Sequence, residues 1–266
     1  MNTNTPDSTP QSLAHAAAIF SAITQVSPAA PFTWLARGFD DLRAAPLASL
    51  FYGLAFALMG WAIVFFYGNA YSLTVALIGG FMLLGPALAM GLYGLSRQRE
   101  AGATPQLRPS LTVWRSNRSN LAIFALVTGV VFLIWARASM VVFAVFYSSG
   151  LPTAADFLRE LTSFDNIEFV IAYFFIGSLF ASFILAISVV AVPLMLDRNA
   201  DAITAMLLSL ATVAKNPLPV LIWAALIVAL AGIGFATAFF GLVFTIPLLG
   251  HATWHAYRAM IPPADI

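Results

Sequence analysis

The sequence predicts an all-α, polytopic membrane protein. Of its 266 residues, 61% are hydrophobic and only 9% are charged, whereas soluble domains are about 45–50% apolar and about 25% charged. Too little charge is present to cover the surface of a water-soluble fold. Uncharged stretches that reach the roughly 20 residues needed to cross a bilayer also recur along the chain. These observations exclude a soluble enzyme, a nucleic-acid-binding protein and a disordered scaffold.

We expect six transmembrane helices arranged as three hairpins. The uncharged stretch 44–96 is too long for one crossing at a rise of about 1.5 Å per residue, and it is divided at the turn 68–72. The stretch 216–257 also has twice the required length, so two helices are predicted to meet in a tight turn between Gly232 and Gly241. The predicted spans are, in order, about 48–67, 73–95, 119–147, 167–196, 217–236 and 238–258.

The distribution of basic residues predicts the orientation. Most of the 12 Lys and Arg residues precede span one, follow span six, or lie between spans two and three or four and five. Cytoplasmic loops are enriched in basic residues, so we expect a multi-pass protein of the bacterial inner membrane with both termini in the cytoplasm. Residues 1–29 and 261–266 are then cytoplasmic tails, the first of them flexible, around a single membrane domain of residues 30–260.

Two segments before spans one and five share one pattern. Pro46 and Pro217 each open a span, and apolar residues occur at the same offsets before each proline: Phe32, Leu35, Phe39 and Leu42 in the first copy, and Ile203, Met206, Leu210 and Val213 in the second. The offsets form one face of a helix. Charged residues, Arg37, Asp40, Asp41 and Arg43, are assigned to the other face of the first copy. We therefore predict amphipathic helices on the cytoplasmic surface and, with a weaker middle copy from Leu107, an internal repeat.

Four segments carry a resemblance to a known family: Pro31–Gly38, Ala45–Gly53, Leu196–Met206 and Pro247–Arg258. They resemble the uncharacterised proteobacterial inner-membrane family called domain of unknown function twenty-one eighty-nine, over roughly residues 25–260. The resemblance implies a six-helix inner-membrane protein without an established activity. Some members are labelled cytochrome c oxidase subunit I, but a haem–copper core needs about six histidine ligands and this chain has 3 histidines.

His251 and His255 are the first candidate functional residues, because a spacing of four puts both on one face of span six. One interpretation is a metal or haem site, and a second is a proton or substrate contact. A third is an interfacial pair that hydrogen-bonds neighbouring helices, beside Trp254 and Tyr257 as interface-belt residues. Two imidazoles make an incomplete ligand set, so no cofactor, haem or metal is expected.

The charged residues near the span ends are further candidates. Arg137 interrupts an apolar helix near its outer end and is expected to pair with an acidic residue of the following loop: Asp156, Glu160, Asp165 or Glu168. Asp197 and Arg198 are expected to pair locally where span four ends. Asp201 precedes an apolar helix and suits an N-cap, whose carboxylate accepts hydrogen bonds from the first turn.

Prolines late in the even-numbered spans predict kinks at Pro86, Pro193 and Pro247. A proline inside a helix frees a backbone carbonyl and bends the helix. Kinks at equivalent places either enclose a polar cavity or serve packing alone, and the sequence leaves both open.

The leading functional interpretation is a non-enzymatic inner-membrane scaffold or accessory factor, whose partners are the lipid bilayer and other membrane proteins. The first alternative is a small-solute or lipid transporter with a cavity lined by the kinked even helices. Against an ion-driven carrier, spans one, two, five and six contain no acidic residue. The second alternative is a respiratory-complex accessory or redox component that uses the two histidines.

Overall fold

The computed structural model describes residues 23–67, 88–147 and 166–263, and every regular element within these ranges is a helix. The all-α class is therefore confirmed for the described part of the chain. Four of its helices are long and apolar enough to cross a membrane: Pro46–Phe66, Leu107–Phe146, Ile167–Arg198 and Pro217–Ala236.

The described elements are numbered here in chain order. They are α1 (Ala30–Ala44), α2 (Pro46–Tyr67), α3 (residues 88–100), α4 (Leu107–Ser110), a 3-10 turn (Val113–Asn117), α5 (Arg118–Phe146), α6 (Ile167–Ser188), α7 (Ala191–Arg198), α8 (Ala202–Lys215), α9 (Pro217–Ala236) and α10 (Leu242–Met260).

The long stretch 216–257 forms two helices, α9 and α10, which meet in a turn over residues 237–241. Ala238 and Phe239 take left-handed backbone conformations, with φ of 50° and 71°, and the Trp61 indole donates a 2.7 Å hydrogen bond to the Ala238 carbonyl. α10 is not among the four membrane-length apolar helices, because its second half is polar. The turn at 68–72 and most of the predicted span 73–95 lie outside the described residues.

The chain forms two compact units, of which one is Ile123–Ala186 and the other comprises Met1–Ala122 and Ile187–Ile266. In the smaller unit, most of α5 and α6 pack through aromatic rings. Phe169 is fully buried, and its ring centroid lies 5.2 Å from that of Phe143 and 5.0 Å from that of Tyr147. An aromatic cluster therefore joins these two helices.

In the larger unit, α10 packs closely against α1 and α2. Small residues allow the close approach: a Cβ added to Gly38 would lie 2.7 Å from the Ala252 nitrogen, and one added to Gly53 would lie 2.1 Å from the Val243 carbonyl oxygen. On its other side, α1 contacts α9 through Trp34 and Trp223, whose ring centroids are 5.8 Å apart. α1 is therefore held between α9 and α10.

The packing of α1 corrects one sequence-based assignment. Its protein-facing side consists of Pro31, Trp34, Gly38 and Asp41, whereas Phe32 and Phe39, from the predicted apolar face, are 59% and 43% exposed. Asp41, which the sequence analysis placed with the charged outer face, is only 4% exposed. Two apolar surfaces compete for the interior, and the one with Trp34 and the small Gly38 fits α10 more closely.

In α8, the second predicted surface helix, part of the predicted apolar face is likewise exposed. Ile203 and Leu210, from its predicted apolar face, are exposed, while Met206 of that face is buried. The side against the protein includes Ala205, Leu208 and Thr212. Both helices end two residues before the predicted prolines, Pro46 and Pro217.

The flanking segments are more ordered than the sequence indicated. Residues 23–29, predicted as part of a flexible tail, lie against the ends of α8 and α10: the Thr24 nitrogen donates to the Met260 carbonyl at 2.8 Å, and Asn216 donates to the Thr24 carbonyl at 3.0 Å. Ile23 and Ile261 are both buried. Buried side chains and paired backbone groups therefore extend beyond the predicted tail boundaries at residues 29 and 261.

The proline predictions have separate outcomes. Pro247 lies inside α10. Pro193 is in the first turn of α7, directly after the break at residues 189–190 that separates this helix from α6. Pro86 lies outside the described residues.

Candidate functional site

The second half of α10 holds a group of polar and aromatic side chains. Histidines, aromatic residues and an arginine follow each other at helical spacing: His251, Trp254, His255, Tyr257 and Arg258. Because α10 packs against α1 and α2 and lies beside α3 and α7, these side chains meet partners from several elements. Two networks result.

The first network is centred on Asp41 of α1. Its carboxylate accepts a hydrogen bond from the Arg99 guanidinium of α3 and lies 2.9 Å from His255 Nε2. Asp41 is 4% exposed, against 42% for the Arg99 side chain and 18% for that of His255. One buried carboxylate thus joins three helices, and its partners Arg99 and His255 lie nearer the surface.

His251 extends this network toward α2. Its Nε2 lies 2.8 Å from Ser49 Oγ and its Nδ1 lies 2.7 Å from Ser96 Oγ, and the imidazole is completely buried. Asp41 also accepts a hydrogen bond from Ser96. The single hydroxyl proton of Ser96 is therefore donated to the carboxylate and is not available to His251. We therefore assign the Nδ1–H tautomer, with Nδ1 donating to Ser96 and Nε2 accepting from Ser49.

Two opposing effects act on the Asp41 carboxyl. Burial alone would raise its pKa, but hydrogen bonds from His255, Ser96 and Arg99, together with the charge of His255, lower the pKa below its ordinary value of 3.8. The ionised form is therefore the one that the surrounding residues stabilise.

The second network surrounds Arg258. Its guanidinium bonds Glu100 of α3 at 2.9 Å and Asp197 of α7 at 3.0 Å. The same two carboxylates accept from ring donors on α10, Glu100 from Trp254 at 2.9 Å and Asp197 from Tyr257 at 2.7 Å. Arg258 therefore links α10 to two other helices.

These contacts revise the interpretation of the histidine pair. The two imidazoles do hydrogen-bond neighbouring helices, but Trp254 and Tyr257 are fully buried and are not interface-belt residues. The residues that complete the networks, Asp41, Arg99 and Glu100, were not predicted as site residues. One signal was present in α1, where Trp34, Gly38 and Asp41 share a helical face, but the longer apolar side chains of the neighbouring face obscured it.

The charged residues at the end of α7, Asp197 and Arg198, and the predicted N-cap Asp201 have different partners. Asp201 caps α8, accepting a 2.9 Å hydrogen bond from the Thr204 nitrogen, as its position indicated. Asp197 and Arg198 make only a distant local pair of 3.9 Å. The stronger contacts of Asp197 are with Arg258 and Tyr257, and Arg198 donates to the Pro262 carbonyl at 2.6 Å.

Arg137 stands apart from both networks. It is an exposed residue of α5. Three of its four predicted partners, Asp156, Glu160 and Asp165, lie outside the described residues. Glu168, the fourth, is exposed, and the ion pairs found in residues 23–67, 88–147 and 166–263 do not include it with Arg137.

A metal site at the histidine pair would need further ligands. Within the described ranges, no group of three or more His, Asp or Glu residues has the arrangement of a metal site. Both ring nitrogens of His251 are already bonded to serine hydroxyls, so binding a metal would first require one of these hydrogen bonds to break.

Comparisons with known proteins give one match. The model of a family described as "Predicted integral membrane protein (DUF2189)" matches residues 73–197, which confirms the resemblance over a narrower segment than the 25–260 expected. Most of the four segments that carried the resemblance lie outside the matched one. No curated protein and no solved structure matches the chain.

Proposed function

We propose that this chain, whose residues 73–197 match the DUF2189 model of predicted integral membrane proteins, is a non-enzymatic scaffold or accessory factor of the bacterial inner membrane. In this proposal it crosses the membrane six times as three hairpins, with both termini in the cytoplasm. The cytoplasmic ends of its helices form a rigid platform, joined by the two polar networks on α10.

The pairing of the buried ionisable groups carries the proposal. Asp41 and His251, the buried members of the first network, have their hydrogen-bonding atoms engaged by side chains of α1, α2, α3 and α10. A general base or a ligand-binding carboxylate must present an atom to its substrate. Saturated networks of this kind instead hold helices in one arrangement, which is what a scaffold requires.

The two surface helices support the proposed repeat and the six spans. The junctions before Pro46 and Pro217 have nearly the same backbone conformation, with φ −138° and ψ 61° at Ala45 and φ −130° and ψ 50° at Asn216. In both copies an exposed apolar face leads directly into a membrane-length helix. Such a face is typical of a helix that lies in the membrane interface.

The function is tested with His255→Gln in a strain that lacks the native gene. A glutamine can donate the hydrogen bond to Asp41 but cannot take up a proton, so we expect wild-type abundance and full restoration of growth and of the lipid and metabolite profiles. Immunoblotting of membranes gives the abundance. Loss of restoration at wild-type abundance would contradict the scaffold proposal and favour the transporter or redox alternatives, in which His255 exchanges a proton.

The orientation is tested with single cysteines, because the natural chain contains none. In intact cells, a membrane-impermeant maleimide should label Ser163→Cys, in the loop between predicted spans three and four, and should not label Ala264→Cys. Permeabilised cells serve as the control and should label both. Labelling of both cysteines in intact cells would refute a cytoplasmic C-terminus and the three spans proposed between residues 163 and 264.

A further inference from the structure

Residues 107–118, directly before the apolar part of α5, have two different faces. The inner face is anchored to the larger unit: Leu107 packs on the core cluster of Tyr52, Leu92 and Leu95, and the Ser110 hydroxyl lies 2.8 Å from that of Tyr52. Farther along, Asn117 donates to the Met195 and Ala200 carbonyls at 3.1 and 2.9 Å. The segment is therefore held in place by its inner face.

The outer face consists of three exposed arginines and two large apolar side chains. We call these residues the arginine patch: Arg108, Leu111, Trp114, Arg115 and Arg118. Leu111 and Trp114 are 40% and 37% exposed. The Arg115 guanidinium lies over the Trp114 ring, 5.6 Å from its centroid. A cation and an aromatic ring are therefore adjacent on the exposed face.

The patch has no acidic counterpart nearby in the chain. From residue 101 to residue 155 the sequence contains three basic residues before Arg137 and no Asp or Glu. Among the ion pairs of the described residues, none includes Arg108, Arg115 or Arg118. Within the described residues, therefore, no carboxylate forms an ion pair with the arginines of this face.

The position of the patch indicates what that partner is. The patch runs from α4 to the first residue of α5 and so occupies the polar end of the candidate membrane span Leu107–Phe146. At the end of a membrane-crossing helix, exposed arginines and an exposed tryptophan lie at the depth of the lipid headgroups, where basic residues attract anionic lipids and tryptophan is enriched.

We propose that the arginine patch is a binding site for anionic phospholipids, in which the arginines bind the phosphate-bearing headgroup and Leu111 and Trp114 contact the acyl region. The proposal rests on the membrane insertion stated under Proposed function, but not on the scaffold role or on the orientation. Anionic lipid held there would fix the depth of α5 in the membrane.

Two other surfaces with exposed apolar residues are weaker candidates, and they provide controls. On α1, the exposed arginines Arg37 and Arg43 share their surface with the acidic Asp40. On α8, the nearby cation Lys215 already donates to the Ile23 carbonyl. The arginine patch differs from both because, within the described residues, its arginines have no acidic residue beside them on the same surface and form no ion pair.

The test counts lipids bound to the full-length protein in detergent by native mass spectrometry, during titration with phosphatidylglycerol or phosphatidylcholine. Each arginine near a membrane surface contributes about five-fold to anionic-lipid affinity, so Arg108→Gln/Arg115→Gln should reduce phosphatidylglycerol affinity about 30-fold. Phosphatidylcholine binding should not change. High salt should reduce the wild-type preference, because it screens exposed charges.

The matched control is Arg37→Gln/Arg43→Gln, which removes the same charge from α1. It should retain most of the preference for phosphatidylglycerol, as should the conservative variant Arg108→Lys/Arg115→Lys. Circular dichroism verifies that each variant is folded. If the two glutamine variants lose the preference equally, net charge and not the patch governs binding. If inorganic phosphate displaces the lipid at equal concentration, the site is a general anion site. Either result would overturn the proposal, whatever the cysteine labelling shows.

Discussion

Asp41→Ala is expected to lower the free energy of unfolding by roughly 2–4 kcal/mol, measured in detergent by titration with a denaturing surfactant. The substitution removes the buried acceptor of Arg99, His255 and Ser96 and leaves their donors unpaired. Breaking a buried ion pair costs about 3–5 kcal/mol, and the lower range is taken here because the Arg99 side chain is 42% exposed and can turn to water.

Asp40→Ala is the matched control, since it removes the same side chain one residue earlier. Asp40 is exposed, and it takes part in none of the ion pairs that the described residues form, so a change within about 0.5 kcal/mol is expected. Equal losses for both variants would show that the effect comes from the charge or helix propensity of α1 and not from the buried network.

Acid should weaken the same network. The pKa of Asp41 is lowered from its ordinary value of 3.8 in the folded protein, so the folded state favours the ionised carboxylate. Its stabilising contribution is complete above pH 3.8 and declines as the pH falls through the folded-state pKa. Below pH 4 the wild type should therefore lose stability more steeply than Asp41→Asn, which has no carboxylate to protonate.

Gly53→Ala is expected to destabilise the protein by roughly 2–3 kcal/mol, the upper part of the range for overpacked sites. The new Cβ would lie 2.1 Å from the carbonyl oxygen of Val243. That obstacle is backbone, which cannot rotate away, so α2 and α10 must separate. Unfolding in the same surfactant titration should then occur at a lower surfactant concentration.

Gly129→Ala is the control for this substitution. Gly129 lies inside α5, and a Cβ there has nothing within 4 Å, so the change should stabilise the helix by up to about 1 kcal/mol through its higher propensity. The two variants are therefore expected to change the free energy of unfolding in opposite directions. Stabilisation by both would mean that α2 and α10 are not in close contact at Gly53.

Local features of the structure could be predicted from the sequence because their causes lie within a few residues. α1 and α8 each end two residues before a proline, at Ala44 and Lys215, since a proline restricts the conformation of the residue that precedes it. Asp201 caps α8 through a hydrogen bond to a residue three positions later. The apolar composition, likewise, is sufficient to predict membrane-length helices without any knowledge of their packing.

The polar networks depend on contacts that no local pattern encodes. Asp41 and His255 are 214 positions apart, and Trp254 and Glu100 are 154 apart, so their pairing exists only once α1, α3 and α10 have packed. The sequence offered two candidate inner faces for α1, and hydrophobicity favoured the one with Phe32 and Phe39. Tertiary packing selected the other, because Gly38 permits an approach to Ala252 that larger side chains would prevent.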